Sequence, residues 1–345
     1  MLGASAARQI HQLMATQDIR GLEDGPVGGT LLHFGDDVIG QAIEADLPSS
    51  GSWSLARISD LALAQSAYQL TAKNQIWLPG MKKSEAINIP MTTVEKIGEI
   101  GPYHADINGL NATGGIRGPF EIKPVKATSA PTYPVIWSHD AENQRNMSFS
   151  GDSEGRPRKG KDKKEQTAID EKVASVWSTA SHCHFSRDFR FNSQSTSMQF
   201  TPRRTIGGRA WISIKLSSAA LEKALVLWAN TSLGLLMHWY HANKQQSGRG
   251  SIGVLALKDM PVLDVTELRL KQLERAEELF DLIGSDLELL PLNEIDEDSA
   301  REELDTKFAQ DVLGLPATMF GSDGPLELLR MKLSREPSIR GHKAG

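Results

Sequence analysis

Residues 228–240, WANTSLGLLMHWY, read as a helix that is apolar on nearly every side. Such a helix has no face to offer water, so the rest of the chain must bury it. No apolar run in the chain approaches the roughly 20 residues that a membrane span needs, so no membrane association is expected. The flanks of this helix are very different from it. Before it lies a polar, arginine-rich stretch, FRFNSQSTSMQFTPRRTIGGRAWI (189–212). After it come a glycine-rich turn and the strand-like SIGVLALKDMPV (251–262). Amide and hydroxyl side chains, a cationic turn, a buried helix and a closing strand suit a surface that reads a polyanion.

Charge distribution supports that expectation although net charge does not. The 345 residues carry a formal net charge of −5. Between Arg145 and Lys215, however, fourteen Lys/Arg face seven Asp/Glu, a balance of +7. Between Asp264 and Asp311 sixteen acids face five bases, a balance of −11. A basic middle beside an acidic end can present a cationic face on a chain that is acidic as a whole. The hydrophobic fraction of 39% and charged fraction of 23% are those of a globular chain, and the length suits two or three domains. A single cysteine, Cys183, rules out an internal disulfide framework and fits a reducing compartment. The start, MLGASAARQIHQLM, lacks the charged and apolar regions of a signal peptide. A cytoplasmic protein is expected.

The pattern predicts an α+β fold in three parts: a mostly helical segment over 1–84, a β-rich recognition domain over 85–263, and a helical region over 264–345. Residues 4–20 have a helical face of Ile10, Leu13 and Met14. Residues 54–70 have another, with Ser54 as N-cap. From 75 to 136 short β-leaning runs alternate with Gly, Pro and Asn. GDSEGRPRKGKDKKEQ (151–166) reads as a charged, mobile loop, and 167–180 as a helix. Amphipathic helices are predicted at 268–283, 300–314 and 325–338. They either dock a partner subunit or pack on the chain's own body.

Catalytic motifs are incomplete. GPVGG (25–29) lacks the Lys-Ser/Thr of a phosphate loop and the spacing of a dinucleotide fingerprint. His182, Cys183 and His184, with His238 and His241 on a later helix, lack the paired spacing of a zinc site, so no metal site is assigned. Asp106, Glu121 and Lys123 satisfy the loose D-x(n)-[DE]-x-K pattern of a magnesium nuclease. Pro119 and Pro124 crowd the strand that would carry it. The residues suited to a nucleic acid are of two kinds. Arg156, Arg158, Lys159, Lys161, Lys163, Lys164, Arg187, Arg190, Arg203, Arg204 and Arg209 can pair with phosphate or guanine. Asn192, Gln194 and Thr196 can hydrogen-bond base edges.

The block NSQST…FTPRRTIGGRAWI, LWANTSLGLLMHWY and SIGVLALKDMPVLD resembles the target-recognition region of adenine-N6 DNA methyltransferases and of restriction–modification specificity subunits, over roughly residues 85–265. Asn230-Thr231-Ser232-Leu233-Gly234 matches the step that begins the helix behind the recognition surface. Ile252, Leu255, Met260 and Pro261 match the closing strand. The catalytic Asn/Asp-Pro-Pro-aromatic motif and a cofactor loop are missing. The resemblance therefore implies a DNA-reading chain without intrinsic activity, whose partner is a methyltransferase or restriction subunit that binds S-adenosylmethionine. Two alternatives stay open: the metal-dependent nuclease, and an interaction module that binds no nucleic acid.

Overall fold

A computed structural model describes residues 58–110, 115–126, 132–137, 141–245 and 248–341, together with the backbone of three N-terminal strands. These strands are β1 (Ile19–Asp24), β2 (Thr30–Phe34) and β3 (Asp37–Ala42), which pair in sequence as an antiparallel sheet. They correct the expectation of a mostly helical start. The helix expected at 4–20 and the capping residue Ser54 lie outside the described residues, except for Ile19 and Arg20 in β1.

The first helix described is α1 (Leu61–Lys73). Asp60 caps it by accepting from the backbone N–H groups of Ala62 and Leu63, and Asn74 ends it in the left-handed region at φ 53°. Short elements follow: β4 (Gln75–Ile76), β5 (Ile87–Asn88), β6 (Met91–Thr93), α2 (Val94–Ile97), β7 (Glu99–Ile100) and α3 (His104–Asn108). Next come β8 (Phe120–Pro124), β9 (Pro134–Ile136) and β10 (Ser153–Pro157), then α4 (Lys163–Ser178). The expected loop over 151–166 is thus a strand and the start of a helix. Asp162 explains the difference, because its carboxylate accepts from Glu165 N–H at 2.8 Å and caps α4 in the middle of the lysine run.

The recognition block supplies β11 (Ser181–Ser186), β12 (Asp188–Arg190), β13 (Met198–Gly207), β14 (Trp211–Lys215), α5 (Ala219–Asn230) and α6 (Ser232–His241). Seven strands form one sheet in the order β7-β14-β11-β13-β9-β10-β8. Only the β13–β9 pair in it is parallel. Strand β13 departs from β11 in a wide bulge. Cys183 pairs with Phe200 and Ser181 with Thr205, so one residue of β11 faces four of β13. The buried carboxylate of Glu222 pins this region to α5. It accepts from Ser181 Oγ at 2.9 Å and from the N–H groups of His182 and Leu216 at 3.0 Å each.

The remaining elements are β15 (Asn243–Lys244), β16 (Arg249–Ser251), α7 (Val254–Lys258), β17 (Pro261–Leu263), α8 (Leu270–Ile283), α9 (Ser299–Lys307), α10 (Pro325–Arg335) and α11 (Pro337–Arg340). The closing strand expected over 251–262 is instead the end of β16, the short helix α7 and β17, which pairs with β6. The three predicted tail helices are present, with the last broken at Pro337.

The apolar helix lies where its composition demands. Every residue of 228–240 is buried. The cluster around it joins Leu63, Leu70 and Trp77 to Phe185, Leu225 and Trp239, and to Phe280, Leu304, Phe308 and Leu329. The boundaries expected at 84/85 and 263/264 therefore cut through a single core, and the tail packs on its own body. A second, smaller core lies under α4, where Ile169, Val173 and Val176 cover Phe120, Val135 and Ile206. Helices and sheets are both extensive, and the fold is α+β.

Candidate nucleic-acid interface

Helix α3 sits between two groups of cations and connects them. At its C-terminal end Arg158 donates to Asn108 Oδ1 at 2.6 Å and to the Gly118 carbonyl at 3.2 Å. In its middle Asp106 holds Arg117 at 2.7 Å. At its start His104 Nδ1 lies 3.4 Å from a guanidinium nitrogen of Arg187, whose guanidinium stands 5.2 Å from the centroid of the Tyr103 ring. Burial, then Arg187, Arg209 and Arg117 in that order, push the His104 pKa below its usual 6.5, opposed by Asp106. A short helix without any lysine or arginine of its own thus joins the basic stretch at 156–164 to the arginines at 187 and 209.

The N-terminus of α4 extends this strip. Lys161, Lys163 and Lys164 are exposed there, beside the positive end of the helix dipole. Like charge at that end is unfavourable, and the carboxylates of Asp162 and Glu165 offset part of it. Lys159 is exposed beside them. Arg156 is exposed too, and its nearest acid is Glu154 at 2.9 Å.

Beyond Arg187 the strip meets a small three-stranded sheet in the order β12-β16-β15. Its register sets Asp188 opposite Ser251 and Ser251 opposite Asn243, while Arg190 faces Arg249. Directly paired residues share a face, so these five form its outer side. Gln245, two positions after Asn243, continues that side, and its amide donates to Ser251 Oγ at 3.2 Å. Phe189, Gly250 and Lys244 take the inner side and are buried. Two arginines facing each other cost stability unless a counter-charge intervenes. Glu142, paired with Arg190, supplies one. The outer face therefore carries only groups that donate or accept hydrogen bonds.

These facts sort the residues singled out in the sequence. Arg156, Lys159, Lys161, Lys163, Lys164, Arg187, Arg190 and Arg209 lie along the strip or at its end. Arg158 is there too, though its bond to Asn108 ties it to α3. Gln194 and Thr196 must be withdrawn as base readers. Both are buried, the Gln194 amide donating to Ser186 Oγ and the Thr196 carbonyl at 2.9 Å each, and Thr196 Oγ1 accepting from Gln199 at 2.7 Å. Asn192 is half-buried against Gly248 and donates weakly to the Arg340 carbonyl. Arg203 and Arg204 fall in the β13 bulge. Arg204 caps the far end of α4 through the carbonyls of Ala180 and Ser178. That end is roughly 24 Å from the lysines at the start of the helix, at 1.5 Å per residue.

Residues missed in the sequence are Tyr103, His104, Arg117, Asn243, Gln245, Arg249 and Ser251. Only the register of β12 against β16 brings Arg249 opposite Arg190, and a single sequence does not give register.

The Asn230–Gly234 step has a structural role throughout. Asn230 accepts from Ser197 N–H and donates to the carbonyls of Met198 and Val226, at 2.9 Å each. Thr231 ends α5 and caps α6 by accepting from Gly234 N–H at 3.1 Å. Ser232 donates to Asp305 through its backbone and its hydroxyl. Gly234 has no room for a Cβ, which would lie 2.2 Å from the Trp228 carbonyl oxygen. Arg301 completes the hub from the tail. Fully buried, it pairs with Asp298 at 3.1 Å and donates to the carbonyls of Asn230, Ser195 and Leu290.

The other motifs dissolve. Asp106 is engaged by Arg117, and Glu121 by Lys123 at 2.5 Å on the exposed edge strand β8. Among the described residues no three His, Cys, Asp or Glu side chains converge as metal ligands. His238 is stacked on Phe185 at 4.7 Å and Cys183 is buried beside Met198. No helix among the described residues is long and apolar enough to cross a membrane.

No protein-family profile and no curated protein matches the chain. Among solved structures it is similar to the type IIG restriction endonuclease BpuSI, at 11% identity and a TM-score of 0.35. The match covers 53% of this chain and 18% of that one. At that level the likeness assigns this chain to no family.

Proposed function

We propose that this chain binds duplex DNA in a sequence-directed way, as a specificity component of a restriction–modification or other phage-defence system. The observation that carries this reading is the continuity of the strip. Cations of α4, Arg158, Arg117, Arg187 and Arg209 lead, through α3, to a sheet face of Arg190, Arg249, Asn243, Gln245 and Ser251, with Asp188 on the same face and Glu142 paired with Arg190. Phosphate contacts fix position on a duplex, and arginine, amide and hydroxyl groups read base edges. A small β-sheet is one of the elements that fit the major groove. Methyl transfer or cleavage, and S-adenosylmethionine with it, belong on this reading to a partner methyltransferase or restriction subunit.

A randomised duplex pool titrated at two salt concentrations tests it. An enriched motif is the expected outcome. Replacing Arg249 and Asn243 by Ala should blur that motif at one or two positions, at about 1–3 kcal/mol for each true reader. Replacing Lys163 and Lys164 by Ala should weaken all sequences alike and flatten the salt slope by about two. Salt-insensitive or absent binding would favour a protein-interaction module instead.

A further inference from the structure

We propose that His104, Arg187 and Arg209, supported by Arg117 and Tyr103, form a site for one backbone phosphate that takes up a proton as it loads. This rests on the nucleic-acid reading above and names the place where that surface grips the strand.

Arg187 is, among the described residues, a cation held without a carboxylate. Among the described residues no acid lies within ion-pair reach of it, and its Nε is sealed from solvent with no hydrogen-bond partner. An aromatic face and an imidazole hold it instead, at 5.2 Å from the Tyr103 centroid and 3.4 Å from His104 Nδ1. A guanidinium only donates, so Nδ1 is the acceptor and the imidazole is neutral while this contact stands. Arg209, on the turn between β13 and β14, is exposed and also has no ion-pair partner among the described residues. The charged groups facing His104 are Arg187, Arg209, Arg117 and Asp106. The last two neutralise each other at 2.7 Å, which leaves Arg187 and Arg209 without a counter-charge among the described residues, beside an imidazole whose pKa they lower.

A phosphate entering among these groups reverses the field at the imidazole. It satisfies the two guanidiniums and stabilises an imidazolium, whose Nδ1–H then donates to a phosphate oxygen in place of accepting from Arg187. The proton comes from solvent, one for each phosphate bound. The pKa of His104 is higher in the complex than in the free chain. Its contribution to binding is therefore complete below the free value and is lost as pH rises through the bound value. Affinity should tighten as pH falls from the bound value toward the free one, by up to tenfold per pH unit. Tyr103, 38% exposed at the rim, keeps Arg187 in place.

The test follows the His104 ring by NMR in the full chain, identified by its loss in His104→Gln, across that pH range. Spectra are taken in chloride, with inorganic phosphate, and with short duplexes bearing either 5′-hydroxyl or 5′-phosphate ends. The expected result is a higher ring pKa with phosphate and with both duplexes. Duplex Kd should also fall with pH in the native chain and stay flat in His104→Gln. A response only to 5′-phosphate ends would overturn the backbone assignment in favour of a strand end. A shift with inorganic phosphate in a chain that binds no duplex would keep the anion site and sink the nucleic-acid reading. A ring pKa unmoved by any of the three would overturn the site itself.

Discussion

Two imidazoles show how far burial alone controls a side chain here. Burial first, and then the neighbouring His182 and His241 respectively, lowers the pKa values of His184 and His238 to about 3. Unfolded histidine titrates near 6.5. A group whose folded value is depressed gives stability that is complete above the unfolded value and drains away as pH falls below it. From about pH 7 to about pH 5 each of the two should cost the fold about 2 kcal/mol. His238 also leaves both ring nitrogens without a hydrogen-bond partner among the described residues, in a setting of Phe185, Phe189 and Phe191. His238→Phe should remove its share of the acid loss, as measured by denaturant unfolding at the two pH values. An unchanged pH dependence would show that the ring is already charged in the fold. Asn230 presents the opposite case, with every polar atom used. Asn230→Ala strands the Ser197 N–H and should cost about 2–3 kcal/mol, seen as a lower unfolding midpoint at constant slope.

Elements differ in how openly the sequence declared them. Helix α8 was legible because its apolar residues recur on one face and its acids and bases on the other, and that pattern needs no knowledge of partners. Helix α4 was legible only from residue 167, since the lysine run before it mimics a loop and a single N-cap, Asp162, decides the matter. The sheet β12-β16-β15 was not legible at all. Its strands are two or three residues long, and its outer face exists only once Arg190 is set against Arg249 across some sixty positions of chain. Asn243, Gln245 and Ser251 put amides and a hydroxyl beside arginines on its outer face, whereas Gln194 and Thr196, singled out in the sequence, are buried. The two ends of α4 give an element-level prediction. Arg204→Ala should fray the last turn and lower stability by about 1 kcal/mol, through loss of its bonds to Ala180 and Ser178. It should leave the salt slope of DNA binding unchanged, whereas Lys163→Ala with Lys164→Ala does the reverse. A slope that responds to Arg204 would move the phosphate path to the bulge.

At the scale of the molecule, one core fixes what can be removed. Phe280, Leu304, Phe308 and Leu329 of the C-terminal region touch the same cluster as Leu63 and Leu225. Glu336 accepts from the backbone N–H groups of Ser59 and Asp60, at 3.2 and 3.1 Å, which staples the C-terminal helices to the start of α1. Deleting 264–345 should therefore abolish cooperative unfolding, as followed by circular dichroism, rather than release a folded reading domain. A truncated chain that still melts in one sharp step would restore the modular picture that hydrophobic patterning first suggested. Patterning identified the elements, but it could not reveal that residues so far apart share an interior.

The buried arginine of the tail has a consequence in time. The Ser195 carbonyl that it holds at 2.8 Å lies 106 positions earlier in the chain. At about 5–20 residues per second, a ribosome makes that carbonyl roughly 5–20 seconds before its partner exists. During that interval the segment beside the arginine face has been synthesised but not docked, and it is exposed to chaperones and proteases. Interrupted translation would leave a chain with most of its cations and no settled surface on which to display them. The acidic region of this protein is thus made after the basic middle whose carbonyl it holds, and it decides when that middle settles.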